Sequence, residues 1–367
     1  MKPRVGLGLA TIALAMGLAG CGEQDDVLVG TLPQYDATPY VLEIGDMPGA
    51  PVPNDNVLTV EKVKLGRMLF YDKRMSRNGT IACGSCHLQS NAFSDPRQFS
   101  LGVDNLPGKR QAMSAVNLVW NANGFFWDGR APYLRDQALK PIQDHLEMDQ
   151  DLPGLEVRLQ AIQIYKDQFV RAFGNDRVTS GRIALALEQF MFSIVSYDSK
   201  YDRFLRGEAD LTAPERRGRD LFFGEYNPFF PETSGADCQH CHSGKNFEND
   251  LYINNGLDDE ADFTDLGREV VTGSANDRAT FKVPTLRNIA LTAPYMHDGR
   301  FHTLEEVVDH YNSDIHDSPT LHVTLRNTIG TGLMLTQQEK ADLVAFLHTL
   351  TDESLATNPA YGSPFPQ

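Results

Sequence analysis

The sequence lacks any apolar stretch long enough to cross a membrane as a helix. Its most apolar stretch, from Val5 to Ala19, is shorter than the about 20 residues that a transmembrane helix needs. Alternating runs of apolar and polar residues are missing as well, which argues against a large half-buried sheet and predicts a mainly α fold. Basic residues are in deficit: 33 Lys and Arg stand against 49 Asp and Glu, and the formal net charge of −16 argues against a nucleic-acid partner.

Cysteine is also scarce, with five in 367 residues, yet four of the five fall in a pattern that occurs twice. The two copies are Cys83-Gly84-Ser85-Cys86-His87 and Cys238-Gln239-His240-Cys241-His242. In a C-x-x-C-H segment, two thiols add to the vinyl groups of a haem and the histidine ligates its iron. The repeat therefore predicts two covalently bound haems c, with His87 and His242 as iron ligands.

A zinc site or a pair of disulfides is the alternative interpretation of the four cysteines. Zinc ribbons separate their two cysteine pairs by roughly 15–20 residues, far less than the separation between the pairs at 83–86 and 238–241. Neither alternative gives a role to the histidine that follows each pair. The haem interpretation explains both histidines.

The fifth cysteine, Cys21, closes a signal at the start of the chain. Lys2 and Arg4 precede the apolar stretch, and small residues lead up to Cys21 as they do at a cleavage site. The segment resembles a bacterial lipoprotein signal peptide, residues 1–20, with Cys21 as the lipidated first residue of the mature protein. The resemblance implies a periplasmic protein that meets the membrane only through its lipid anchor. Because Gly22 follows Cys21, the outer membrane is favoured over the inner one.

The rest of the chain is internally duplicated. The segment KLGRMLFYD at 64–72 matches RRGRDLFFG at 216–224, and each leads into one C-x-x-C-H segment. A D-G-R turn and a helical pattern then follow each attachment segment, in WDGR at 127–130 and in HDGR at 297–300. We therefore predict two cytochrome c-like haem domains in tandem with long loops. The boundaries are a tether and extended lead-in at 21–56, haem domains at 57–207 and 208–352, and a loose tail at 353–367.

The spacing of apolar residues predicts four helices around this duplication. They cover 58–71, 178–207, 213–223 and 336–350, the last with an N-cap at Thr336. The stretches 88–126 and 243–296 are expected to be long loops that form walls of the haem sites.

The group in the second axial position of each iron decides between electron transfer and chemistry. Between His87 and His145 the chain has no histidine and a single methionine, Met113, so the first haem is expected to be open. The second half offers many candidates. Spacing alone does not choose among His297, His302, His310, His316, His322, Met296, Met334 and Tyr311.

An open haem that splits a peroxide needs a group that moves a proton on its distal side. The segment QALKPIQDHLEM at 137–148 offers Gln137, His145 and Glu147 for this role. The alternative interpretation is a plain amphipathic helix followed by a solvated acidic loop.

Together these motifs resemble the bacterial dihaem cytochrome c peroxidase and MauG superfamily. The resemblance extends from about residue 64 to residue 350 and rests on the two attachment segments, FFWDGRAPYLRDQALKPI, FKVPTLRNIALTAPYMHDGRFHTLEEVV and ADLVAFLHTL. It implies that the first haem reacts with hydrogen peroxide and that the second transfers electrons. It also implies that Trp127 lies between the haems, that Glu147 is the distal acid-base group, and that Gln137 and Pro141 line its pocket.

The same resemblance implies one calcium ion between the haems. Two carbonyl ligands of that ion fall on Thr292 and Pro294. Gln111 stands where the family has an asparagine ligand.

Two departures from the family pattern favour its MauG-like branch. Ordinary dihaem peroxidases carry a histidine that blocks the first iron in a loop where this chain reads Gly102-Val103-Asp104-Asn105. They also ligate the second iron with a methionine after the LEEVV helix, where this chain has Tyr311. Tyr311 rather than Met296 is therefore predicted as the distal ligand of the second iron.

The expected function is cleavage of hydrogen peroxide at the first haem, with electrons drawn through the second haem from a protein partner. That partner is a small cytochrome, a copper protein or a protein substrate whose side chains are oxidised. A cytochrome c peroxidase that detoxifies peroxide is one alternative. A dihaem electron carrier without chemistry is the alternative of another class, and it requires two six-coordinate irons.

Overall fold

The computed structural model describes Met1 and residues 32–366. The expected signal peptide, Met1 apart, and the expected lipidation site Cys21 therefore lie outside the described residues. In the part of the chain that is described, no helix combines the length and apolarity needed to span a bilayer.

Helices dominate the described residues, which confirms the mainly α fold class. They are α1 (Val60–Tyr71), α2 (Leu134–Gln143), α3 (Leu152–Gln160), α4 (Gln163–Phe173), α5 (Ser180–Ser193), α6 (Lys200–Leu205), α7 (Ala213–Phe223), α8 (Glu269–Thr272), α9 (Leu304–Ser313), α10 (Val323–Arg326) and α11 (Gln337–His348). Across residues 32–366 the only sheet is an antiparallel pair of short strands, β1 (Tyr252–Ile253) and β2 (Phe281–Lys282). The long stretches before α2 and after α7 are mainly loops, as expected.

The first half is built on the crossing of α1 and α5. Gly66 of α1 lies so close to α5 that a Cβ atom there would be 1.9 Å from the carbonyl oxygen of Ala186. Glycine is needed at this position because a side chain would push the two helices apart. The crossing is surrounded by fully buried apolar side chains, among them Leu65, Leu69 and Phe190.

The second half repeats this crossing with α7 and α11. A Cβ atom on Gly218 would lie 1.9 Å from the carbonyl oxygen of Asp342. Gly218 and Gly66 occupy the same place in the two matching segments of the duplicated sequence. Phe222 and Phe346 pack at this second crossing with ring centroids 5.2 Å apart. The duplication therefore preserves a helix crossing that only glycine permits.

The two crossings lie in separate hydrophobic clusters. One cluster draws on residues 58–194 together with Leu355 and Tyr361, and the other on residues 201–350. Both belong to one compact unit that begins at Pro33. The domain boundary near residue 207 stays a prediction.

The single long helix predicted at 178–207 is wrong, because an extended segment at 194–199 separates α5 from α6. In that segment the Ser196 N–H donates to Asn117 Oδ1 at 2.8 Å, and the Ser196 hydroxyl donates to Asp352 Oδ2 at 3.3 Å. These long-range hydrogen bonds replace those of a helix. Apolar periodicity does not report such partners.

The end of the chain differs from the loose tail expected at 353–367. Its described part packs against the first half, where Tyr361 is buried. Arg67 Nε donates to the Gly362 carbonyl at 2.7 Å, and the Tyr71 hydroxyl donates to the Tyr361 carbonyl at 2.7 Å. The segment thus returns from the second half and packs on α1.

Candidate active site

Each C-x-x-C-H segment forms a short 3-10 turn that is closed on its first cysteine. The N–H groups of Cys86 and His87 both donate to the Cys83 carbonyl, at 3.2 Å and 2.9 Å. The second segment repeats this pattern, with the Cys241 and His242 N–H groups donating to the Cys238 carbonyl at 3.3 Å and 2.9 Å. The turn places two thiols and one imidazole along the same cavity wall.

Both imidazoles are oriented for metal binding by a backbone carbonyl. His87 Nδ1 lies 2.8 Å from the Phe93 carbonyl, and His242 Nδ1 lies 3.2 Å from the Phe247 carbonyl. A carbonyl can only accept, so Nδ1 carries the proton and Nε2 keeps its lone pair. Burial lowers the pKa of both imidazoles, that of His242 to about 4, which keeps them neutral. A neutral imidazole with a free Nε2 is the form that ligates iron.

The alternative interpretations of the cysteines find no support in the described residues. Cys83, Cys86, Cys238 and Cys241 are free thiols. No group of three or more His, Cys, Asp or Glu that could hold a metal ion in residues 32–366 includes a cysteine. The two cysteine pairs therefore form neither disulfides nor a shared zinc site.

One cavity of about 1280 Å³ joins the two attachment segments. This volume exceeds the roughly 300–1,000 Å³ of ordinary small-molecule sites, as two large cofactors require. The predicted site residues within the described chain all line it: Cys83, Cys86, His87, Gln111, Trp127, Gln137, Pro141, Glu147, Cys238, Cys241, His242, Thr292, Pro294 and Tyr311. Free thiols, oriented imidazoles and a shared cavity fit two haems c.

The loop that contains Gly102 packs closely against the backbone of Glu147 in the cavity wall. The Val103 N–H donates to the Glu147 carbonyl at 2.8 Å. A Cβ atom on Gly102 would lie 2.1 Å from the carbonyl oxygen of Leu146, so only glycine lets the two segments lie this close. Sequence reasoning noted that this loop lacks a histidine, but it missed the close contact that requires Gly102.

The same loop keeps its polar side chain away from the cavity. Asp104 is 51% exposed and forms an ion pair with Arg77 at 2.6 Å. Met113, the methionine of this half that could compete for the iron, also lines the cavity.

The environments of Glu147 and His145 differ sharply. Burial raises the pKa of Glu147 to about 7, the negative charge of Asp144 adds to the increase, and Arg130 opposes it. The His145 side chain is 78% exposed. A carboxyl with a pKa near neutrality can both accept and return a proton, so Glu147 is the better acid-base candidate.

Trp127 is fixed from both halves of the chain. Its indole Nε1–H donates to the Gln111 carbonyl at 2.8 Å, and its own carbonyl accepts from the Lys282 N–H at 2.7 Å. The side chain is 8% exposed. The indole is therefore held rigidly in the wall that the two haem sites share.

Two candidate ligands of the second iron meet at one asparagine. The Asn255 Nδ2 atom lies 3.2 Å from the Tyr311 hydroxyl and 3.4 Å from Met296 Sδ. His310 Nε2 lies 3.1 Å from the Asn255 carbonyl, so this nitrogen is engaged by the backbone. Burial raises the pKa of Tyr311 to about 12, so a phenolate there needs a metal ion to drive its deprotonation.

The oxygen donors predicted for calcium lie in the same cavity wall. The Gln111 amide donates to Ser94 Oγ at 2.8 Å and to the Asp95 carbonyl at 3.2 Å. These contacts use the nitrogen of the amide, so its oxygen stays available alongside Thr292 and Pro294. Neutral oxygen ligands of this kind suit a hard cation.

Comparison with known proteins agrees with this geometry. Residues 60–210 match the family model described as di-haem cytochrome c peroxidase. The methylamine utilization protein MauG of Methylophilus methylotrophus is 34% identical over 308 residues, covering 83% of this chain and 87% of that protein. The cytochrome c551 peroxidase of Nitrosomonas europaea is 35% identical over 296 residues, covering 80% of each chain.

A solved structure extends the agreement to the fold. A MauG-like protein associated with microbial copper homeostasis superposes with a TM-score of 0.76 at 37% identity, covering 87% of this chain and 97% of that one. The predicted family, fold class and two haems c are confirmed. The chain belongs to the di-haem cytochrome c peroxidase family and is a peroxidase-type oxidoreductase.

Proposed function

We propose that this oxidoreductase cleaves hydrogen peroxide at its first haem, with Glu147 moving the proton, and takes electrons from a protein partner through its second haem. The observation that carries the proposal is the partly buried Glu147 side chain, which lines the cavity beside the first attachment segment and has a pKa raised to about 7 by burial. The loop at 102–105 brings no imidazole to compete for the iron.

The haem iron, when bound, supplies the redox chemistry of peroxide reduction. Glu147 takes the proton from the inner peroxide oxygen and delivers it to the outer one, which leaves as water. Gln137 projects from α2 into the same space and offers an amide N–H to orient the peroxide. A smaller opening of about 340 Å³ adjoins Glu147 and Arg130 and gives peroxide a route in.

Trp127 carries electrons between the two haem sites in this proposal. An indole gives and accepts single electrons, and here it is held by Gln111 and Lys282 without freedom to rotate. Its backbone and side chain belong to the first half, while Lys282 belongs to the second. Calcium held by Gln111, Thr292 and Pro294 would stiffen the same wall.

The proposed substrate of oxidation is a side chain of a partner protein, as in the MauG-like branch. Tyr311 as an anionic, hard ligand would lower the potential of the second haem and favour its oxidised form. The solved relative at 37% identity is described as associated with copper homeostasis. A secreted copper-handling protein is therefore the first partner to test.

Reduction of peroxide by a small cytochrome or copper protein is the second candidate function. Met296 favours it, because Met296 Sδ lies 3.4 Å from the same Asn255 Nδ2 atom that Tyr311 contacts. With Met296 on the iron the second haem would have the higher potential of a thioether-ligated haem.

A further part of the proposal concerns location. The lipoprotein-like segment at 1–20 and Cys21 favour a lipid-anchored periplasmic protein, at the outer membrane rather than the inner one. Treatment of cells with radiolabelled palmitate tests this. A label that persists in Cys21→Ser would contradict it.

The deciding experiment mixes the ferric protein and a candidate partner with one equivalent of peroxide. If the enzyme oxidises side chains of the partner, one tryptic peptide of the partner should change in mass. A reduced cytochrome added as competitor should then stay reduced. Stoichiometric oxidation of the cytochrome with an unmodified partner would support the second candidate function instead. Glu147→Gln should suppress either product, which ties both outcomes to the same peroxide step.

A further inference from the structure

Glu248 is a partly buried residue in the cavity wall that the proposed function leaves without a role. It lies a short way past His242 in the chain and lines the same cavity as both attachment segments. Its Oε1 atom accepts a hydrogen bond from Asn246 Nδ2 at 2.7 Å. Within residues 32–366 no other hydrogen bond reaches this side chain, so Oε2 is available for a proton.

A network of buried amides holds Asn246, and with it Glu248, in place. Asn246 Oδ1 accepts from Asn117 Nδ2 at 3.0 Å. Asn117 in turn accepts from the Ser196 N–H at 2.8 Å and is only 1% exposed. The network crosses from the second half to the first. The network therefore positions the amide that hydrogen-bonds Glu248.

Two charged groups act on the Glu248 carboxyl from neighbouring segments. Asp250 follows it in the chain, and Lys282, 5% exposed in β2, places its Nζ 3.2 Å from Asp250 Oδ1. Burial raises the pKa of Glu248 to about 7, Asp250 adds to the increase, and Lys282 opposes it. At neutral pH the carboxyl is thus close to its point of half-protonation.

Electron transfer changes the charge of this cavity by one unit. Charges inside a protein interact far more strongly than in water, because the surrounding medium screens them poorly. Reduction of a haem adds negative charge, which makes a neighbouring carboxylate more costly and its protonated form more favourable. A carboxyl that titrates near neutrality in the cavity wall is placed to compensate that charge.

We propose that Glu248 takes up one proton from solvent when the second haem accepts one electron and releases it when that haem is reoxidised. The electron comes from the reducing partner, and the proton forms an O–H bond on the carboxylate. This rests on the two haems but not on the roles proposed for Glu147, Tyr311 or peroxide. Failure of the Glu248 proposal can therefore be told apart from failure of the proposed peroxide mechanism.

The test is a spectroelectrochemical titration of the second haem in the diheme protein between pH 5.5 and 8.5, without peroxide. Each pH unit changes proton activity tenfold, which a one-proton, one-electron couple converts to a fall of about 59 mV in potential. We expect the potential to approach this slope above pH 7 in the wild-type protein, where Glu248 is ionised before reduction, and to depend less on pH below 7, where the carboxyl is already protonated. Glu248→Gln should reduce the slope at least twofold.

Glu232→Gln is the matched control, because Glu232 is an exposed acid in the loop before the second attachment segment. Glu232→Gln should keep the wild-type slope of potential against pH. A wild-type slope in Glu248→Gln would overturn the proposal and assign the proton to another group, such as a haem carboxylate. A slope lost equally in both variants would overturn it as well.

Asn246→Ala provides a second measurement if Glu248→Gln does not retain its haems. The Asn246 amide donates to the carboxylate and thereby favours its charged form. Removing it should raise the pKa and move the sloping region up by about one pH unit. The proposal is overturned if Asn246→Ala carries both haems and the pH range over which the potential of the second haem changes stays where it is in the wild type.

Discussion

Replacing Glu147 with glutamine tests the proton step of peroxide cleavage most directly. The amide has nearly the shape of the carboxyl but does not exchange a proton at neutral pH. No described residue donates a hydrogen bond to the Glu147 side chain, so the change strands no partner. Loss of a positioned acid-base group slows reactions by at least about 10²-fold, which corresponds to about 2.7 kcal/mol of activation free energy.

The pH dependence of the wild-type rate is a second quantitative test of the role of Glu147. Burial raises the pKa of Glu147 from 4.5 to about 7, so the carboxylate is lost as pH falls through 7 rather than through 4.5. The carboxylate must take the first proton, and the rate constant should therefore fall about tenfold per pH unit below 7 and level off above it. In Glu147→Gln this inflection should disappear.

Stopped-flow absorbance after one equivalent of peroxide measures the rate in the wild type and in two variants. His145→Gln is the control, since His145 is 78% exposed, and it should stay within about twofold of the wild type. Two haems per chain and unchanged ferric spectra establish that each variant is loaded. If His145→Gln abolishes cleavage while Glu147→Gln preserves it, the assignment of the acid-base group is refuted.

Three further predictions concern the irons and the packing. The ferric protein as isolated should show one high-spin and one low-spin haem by electron paramagnetic resonance; two low-spin signals would contradict the open first haem. Tyr311→His should raise the potential of the second haem, because a neutral imidazole replaces an anionic ligand, whereas Met296→Leu should leave it unchanged. An unchanged potential in Tyr311→His, with loss of the low-spin spectrum in Met296→Leu, would assign the ligand to Met296. Gly218→Ala should destabilise the protein in urea by about 1–3 kcal/mol or more, because the new Cβ meets the Asp342 carbonyl at 1.9 Å. Gly181→Ala, with no atom within 4 Å of the new Cβ, should be neutral or stabilising, because alanine favours a helix more than glycine does. Equal losses in both variants would refute the packing explanation.

Glu147 and His145 show where sequence reasoning stops. Both residue types move protons, they are two positions apart, and a resemblance was needed to prefer one of them. Burial distinguishes them, because it raises the pKa of Glu147 while His145 remains exposed. Burial depends on contacts with the distant loop at Gly102, which no local pattern contains. The catalytic role of Glu147 itself stays a prediction.

At the second iron, the structure itself does not choose between two candidate ligands. Tyr311 and Met296 lie on different segments, and the fold brings both to Asn255. Their convergence at one asparagine does not order them, since iron binding would itself select the ligand and its protonation state.

The two haem attachments follow from the amino-acid sequence alone, because the chemistry of C-x-x-C-H is local: thiols and imidazole lie within one turn of chain. The mainly α fold and the duplication follow from it as well, through apolar spacing and repeated segments. Which residues share the cavity wall depends on contacts between distant parts of the chain. Glu248 and Lys282 carry no motif. Folding brings both to this wall, where Lys282 is buried, Glu248 is partly buried, and an uncompensated charge is costly.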